Sequence, residues 1–143
     1  MNSKTQPQAL PTWRLIVMRG LYLLTFVGLA FDSYSTLMDP GELLDTISGV
    51  AFVFWASYAT LMGFGVRYPV QMMPLIFLQL FYKALWIIAV YMPMYNAEAV
   101  TENAQSFFWI CMTAVILDVL VIPWPYVFRN YVKVFFKFRT QPV

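Results

Sequence analysis

The sequence predicts an all-α membrane protein: a four-transmembrane-helix bundle followed by a C-terminal basic amphipathic interfacial helix. Three observations carry this. Of 143 residues, 61% are hydrophobic and only 11% are charged. A soluble domain carries roughly 25% charged residues, so this chain has too little polar surface to stay in solution alone. Second, four apolar runs each approach the ~20 residues that a helix needs to cross a ~30 Å hydrocarbon core. Third, the basic residues recur in every second connection, as a multi-pass helical protein requires. Backbone groups in lipid must be bonded within their own segment, which makes helix the default for each run.

The first helix is expected over about 13–33, beginning "WRLIVMRGLYLLTFVGLAF". Arg19 interrupts it, but lies within two turns of Trp13, so its long side chain reaches the headgroups. The same stretch also has the outline of a signal peptide, with "GLYLLTFVGLA" as apolar region and Gly28-Leu29-Ala30 as a small-x-small cleavage site. The length of the apolar run from Leu15 to Phe31 favours an uncleaved span. The second helix is expected over 40–65, with Asp39 as N-cap, Pro40 at the first helical position and Glu42 three residues after the cap. "RYPVQMMP" turns the chain into a third helix over 69–93, with Pro69 or Pro74 in its first turns, and "YMPMYN" closes it at Pro93. A fourth helix is expected over 105–125 and is interrupted by Pro123 and Pro125 of "VIPWPY".

The tail, about 126–139, is a separate element. In "PYVFRNYVKVFFKFR", Arg129, Lys133 and Lys137 recur every four residues, with Arg139 close behind. Val127, Tyr131, Val134, Phe135 and Phe138 occupy the opposing side at helical spacing. A basic amphipathic helix beside a span is expected to lie in the inner-leaflet interface, as a topology anchor or as a landing site for a soluble partner. No linker is long enough to divide the chain, and residues 1–143 read as one domain.

Charge orients the bundle. Lys4, Arg14 and Arg19 lie near the N-terminus, Arg67 in the second connection, and Arg129, Lys133, Lys137 and Arg139 in the tail. Asp32, Asp39, Glu42 and Asp45 mark the first connection, and Glu98 and Glu102 the third. Basic residues mark the cytoplasmic side, so both termini are expected inside.

Absences narrow the function. There is no histidine, which removes bis-histidine haem ligation and the usual zinc ligand sets. The single cysteine, Cys111, forms neither an intrachain disulfide nor a C-x-x-C pair, and reads as a small buried hydrophobe. "GFGVRYP" has glycines but no Lys-Ser/Thr and no following βαβ unit, so it is not a phosphate loop. The nine methionines are scattered rather than paired as metal ligands. Neither cofactor nor metal is implied, and a net charge of +2 gives no reason to expect nucleic acid.

The polar residues inside the spans are more informative. "LQLFYKALWIIAV" carries Lys83 in the middle of an apolar run, where an ammonium costs at least ~2.5–3.5 kcal/mol. Counting ~1.5 Å per residue, Lys83 lies ~20 Å in from the cytoplasmic end of the third helix, and Asp118 ~17 Å in from the outer end of the fourth. Asp118 is therefore the expected partner of Lys83. Gln79, one turn before the lysine, and Tyr82 and Trp86 beside it complete an expected intramembrane polar cluster. Two readings stand: a buried pair that fixes helix register, or part of a proton or substrate path. Trp13, Trp109 and Trp124 read as interfacial anchors. Gly20 and Gly28, or Ala56 and Gly63, would allow close helix approach.

"VRYPVQMMPLIFLQLFYKALWII" followed by "VIPWPYVFRNYV" resembles a family of small uncharacterised bacterial four-helix inner-membrane proteins. In that family an R-x-P-x-x-M-L-P segment leads into a helix with a mid-span W-K or Y-K, and the fourth helix ends in I-P-W-x-Y-V. The resemblance covers about Arg67 to Val132. It implies the fold and the bacterial inner membrane, and no activity. A glutamate often stands four residues before the family's lysine; here that position is Gln79, which leaves Asp118 as the acid at that depth.

Three function classes follow. The first is a non-enzymatic accessory or structural membrane protein. The second is a small transporter or channel component using Lys83 and Asp118, with the bilayer and a homo-oligomer or larger membrane complex as partners. The third is a membrane enzyme or a quinone- or lipid-binding subunit, supported by the aromatic patch around Lys83. The charge pattern makes a direct prediction. A periplasm-active reporter fused within 39–45, or near Glu98, should be active, and one fused after Val143 should report cytoplasm. A periplasmic C-terminus would overturn the orientation.

Overall fold

A computed structural model describes residues 10–39 and 45–132. Among these the chain is entirely helical, with four helices long and apolar enough to cross a membrane: α1 (Thr12–Met38), α2 (Thr46–Arg67), α3 (Met73–Asn96) and α4 (Glu102–Val121). A short α5 (Trp124–Val127) runs into a π-helical turn, Phe128–Val132. Lys133, Lys137 and Arg139 of the expected tail helix, like Pro40 and Glu42, lie outside the described residues.

Several boundaries differ from expectation for local reasons. The first helix runs to Met38, and Asp39 closes it, its backbone N–H donating to Ser35 O, rather than opening the second. The residue that caps α2 is Asp45, whose carboxylate accepts from Ser48 N at 2.7 Å and from Ser48 Oγ at 3.2 Å. The backbone hydrogen bond from Ser48 holds the Asp45 carboxyl below its ordinary range. A carboxylate satisfies one of the four donors that a helix start leaves unpaired. Of the two candidate prolines, Pro74 sits in the first turn of α3, and Pro69 belongs to the preceding turn.

Pro93 does not end α3. A proline in a regular helix lacks its N–H and drives its ring into the carbonyl four residues back. The chain widens into a π-helical turn over Ile87–Tyr91, with Met92 N–H donating to Ile87 O, and helix resumes through Asn96. The end is a Schellman motif: Glu98 takes φ 53°, Glu98 N donates to Tyr95 O, and Ala99 N donates to Met94 O. Helix α4 starts on Thr101, whose side chain accepts from Ala104 N. It ends at Val121, before the expected 125, because Ile122 precedes a proline and is pushed to ψ 123°. The Trp124 indole then donates to Val119 O at 2.8 Å, pairing a carbonyl of the last turn.

The helices form two hairpins, α1–α2 and α3–α4, joined by α1–α4 and α2–α3 contacts. One end of the bundle carries Arg14, Arg19, Arg67 and Arg129, and the other Asp32, Asp39, Asp45, Glu98 and Glu102. The buried core lies in the basic half. Met18 and Tyr22 of α1, Tyr58 and Met62 of α2, Met73 and Ile76 of α3, and Ile122 and Val127 beyond α4 form one cluster. Tyr22 Oη donates to Pro69 O at 3.0 Å and ties α1 to the α2–α3 connection.

The α1–α2 contact depends on small residues. Ala56 and Ala59 are buried, and a Cβ on Gly63 would lie 3.3 Å from the Phe26 ring. A Cβ on Gly65 would overlap the Tyr22 ring, whereas one on Gly20 or Gly28 would meet nothing within 4 Å. Gly65→Ala should therefore lower stability by about 1–3 kcal/mol through overpacking. Gly20→Ala should be neutral or raise it by up to ~1 kcal/mol through helix propensity. Thermal unfolding of the two variants in detergent checks this; equal midpoints would show that Tyr22 yields freely.

Candidate functional site

The polar side chains buried within the bundle belong chiefly to α3 and α4. Gln79 is 1% exposed, Lys83 9% and Asp118 0%. Gln79 and Lys83 are one turn apart on α3 and so share its inward face. Gln79 Nε2 donates to Asp118 Oδ1 at 2.9 Å. Gln79 Oε1 accepts from Tyr58 Oη at 3.2 Å, and the same hydroxyl reaches Leu75 O at 2.9 Å. Tyr58, Gln79 and Asp118 thus form a chain across α2, α3 and α4.

The expected direct pair between Lys83 and Asp118 is not made. Among the described residues Asp118 Oδ2 has no hydrogen-bond partner, and Oδ1 is taken by Gln79, so the two charges attract only through space. Height explains the difference. Counted at ~1.5 Å per residue down from the turn between the two helices, which runs from Asn96 to Glu102, Gln79 lies ~26 Å and Asp118 ~24 Å below it, and Lys83 only ~20 Å. The amide, not the ammonium, stands opposite the acid.

Lys83 turns elsewhere. Its Nζ lies 5.9 Å from the Tyr82 ring centroid, at the outer range of a cation–π contact. With Tyr82 and Gln79 it forms the α3 wall of a cavity of about 690 Å³ between α1, α3 and α4. The α1 wall includes Leu21, Thr25, Gly28 and Asp32; the α4 wall includes Phe107, Ile110, Thr113 and Leu117. From Leu21 to Asp32 the α1 wall is ~16 Å long at ~1.5 Å per residue. The cavity therefore runs from Leu21, Gln79 and Leu117 at the top of the filled core to Asp32 at the acidic end. Small residues at Gly28 and Ala114 leave the space.

Trp86 does not join the polar group. It stands edge-on to Phe107 of α4 with centroids 4.6 Å apart, and 6.1 Å from Tyr91. Tyr91 stacks on Phe108 at 4.1 Å, and its hydroxyl bonds Gln105 Oε1 at 2.6 Å. These rings close the α3–α4 hairpin around the π-helical turn. Trp109 is 62% exposed at the cavity wall, and Arg129, outside the cavity, is exposed on the last turn. Sequence reasoning missed Tyr58, Thr25, Thr113 and Asp32. Tyr58 lies in an apolar aromatic run with no polar neighbour to mark its face, and the others acquire meaning only from the helix arrangement.

Comparisons with protein-family models, with curated proteins and with solved structures found no match. What is established is a small integral membrane protein with four candidate spans.

Removing one partner of a buried, charge-assisted hydrogen bond costs ~1.5–3 kcal/mol. Gln79→Leu and Asp118→Leu should each lower stability by an amount of this order, and the double variant should recover part of it. Lys83→Met combined with Asp118→Leu should show a weaker, purely electrostatic coupling, since the two charges attract without a hydrogen bond between them. Two double-mutant cycles read by thermal unfolding decide the matter; stronger coupling for Lys83 than for Gln79 would overturn the assignment.

Proposed function

We propose that this chain is a non-enzymatic component of the bacterial inner membrane, with both termini cytoplasmic, that holds a lipophilic molecule in the cavity between α1, α3 and α4. The orientation rests on the segregation of Arg14, Arg19, Arg67 and Arg129 to one end. The resemblance over Arg67 to Val132 supports the same membrane and the same four-helix plan.

The observation that carries the binding role is the cavity itself. Its volume of about 690 Å³ falls within the ~300–1,000 Å³ of small-molecule sites. Its walls are mostly apolar, with Lys83, Gln79, Tyr82, Thr25, Thr113 and, at the acidic end, Asp32 as the few polar side chains that would orient an occupant. A transporter is the second reading. It is supported by the buried Oδ2 of Asp118, an intramembrane acid oxygen without a hydrogen-bond partner among the described residues. The non-enzymatic binding role is preferred because Asp118 is held by Gln79 and does not line the cavity.

Extraction directly from native membranes into polymer nanodiscs, followed by mass spectrometry of the retained lipophiles, tests the proposal. The wild-type protein should retain one species above its bulk abundance. Gly28→Leu, whose new side chain has room to enter the cavity, should lose it while staying folded. Identical lipid profiles for both proteins, matching the bulk membrane, would overturn the binding role.

A further inference from the structure

We propose that the occupant of this cavity is a long-chain carboxylate, a single-chain amphiphile with an anionic oxygen head, and that Lys83 is the group that binds its head. This rests on the cavity-binding role above and names the ligand class for that site.

Lys83 is a buried cation that makes no hydrogen bond among the described residues. It is 9% exposed, it lines the cavity, and its ammonium has three donors. Its contact on the chain is the Tyr82 ring at 5.9 Å. Of the nearest polar side chains, Gln79 is engaged through both ends, its Oε1 accepting from Tyr58 and its Nε2 donating to Asp118, while Asp118 attracts the ammonium through space without hydrogen-bonding it. The chain thus builds a cation into a mostly apolar wall, and among the described residues no acceptor hydrogen-bonds to it. A cation so placed is costly, and an anionic oxygen beside it offsets that cost through a short, charge-assisted hydrogen bond.

The remaining walls select the class. Thr25 and Thr113 line the same space, and Leu29 and Ile110 provide apolar surface for a chain. A carboxylate matches one ammonium charge for charge. A free inorganic anion would meet only apolar surface beyond its head, and it would have to pass Asp32 at the acidic end of the cavity. A single-chain acid dissolved in the bilayer satisfies both the head and the walls.

The test uses the full-length protein in phosphatidylcholine nanodiscs, with cis-parinaric acid and its methyl ester as fluorescent probes and empty nanodiscs as background. Saturable binding of the acid, at least about tenfold tighter than of the ester, is the expected result. Lys83→Met should remove that preference, Lys83→Arg should keep most of it, and Gly28→Leu should weaken both probes. The wild-type comparison of acid with ester needs no variant to fold. Equal saturable binding of acid and ester would overturn the carboxylate assignment and leave the cavity-binding role standing. Absence of saturable binding by either probe, with no retained lipophile from native membranes, would remove both.

Discussion

Inside a bilayer no water is at hand to satisfy a polar atom, so each one must find its partner within the protein. For Asp118 that partner is Gln79, and Gln79 is itself oriented by Tyr58, whose hydroxyl also reaches Leu75 O. One carboxylate therefore sets the relative height of α2, α3 and α4. Helix α1 is tied separately, through Tyr22 to the Pro69 carbonyl and through the close approach of Gly65 to the Tyr22 ring. The remaining charge in the middle of the bundle, Lys83, has no place in this chain of bonds. It is directed to the cavity as a consequence of where the acid stands.

The two halves of the bundle differ in kind. The basic half is filled by Met18, Tyr22, Tyr58, Met62, Met73 and Ile76, and close packing of this sort yields little to rearrangement. The acidic half is held differently. There α3 and α4 are closed on each other by Trp86, Tyr91, Phe107 and Phe108, while α1 faces them across the cavity. Pro93 contributes by widening the turn at Ile87–Tyr91; such π-helical turns are frequent at functional sites. A rigid base below a hollow upper half is an arrangement suited to holding a ligand without moving the whole bundle.

Much of the fold was legible in the sequence because lipid imposes simple rules. Length, hydropathy and the absence of charge identify a span, and the four spans appear where the apolar runs lie. Boundaries were less legible where two signals competed. Asp39 and Asp45 are both good capping residues six positions apart, and only the chain's course decided that Asp45 caps α2 and Asp39 closes α1. Pro93 looked like a terminator because a regular helix cannot hold it; the π-helical turn is a solution that no local pattern announced.

The sequence by itself determined that a lysine, a glutamine and an aspartate would be buried at mid-depth on α3 and α4, since their positions within apolar runs allow nothing else. Which of them would meet was decided by the tertiary structure. Two residues on antiparallel helices touch only if their heights agree to within about one helical turn, ~5.4 Å. That offset depends on how far α3 runs past Pro93 before it ends at Asn96 and on α4 beginning at Glu102, neither of which periodicity measures. The same offset places Gln79 opposite Asp118, leaves Lys83 one turn higher, and brings Thr25 and Gly28 of α1 to the cavity that the lysine lines.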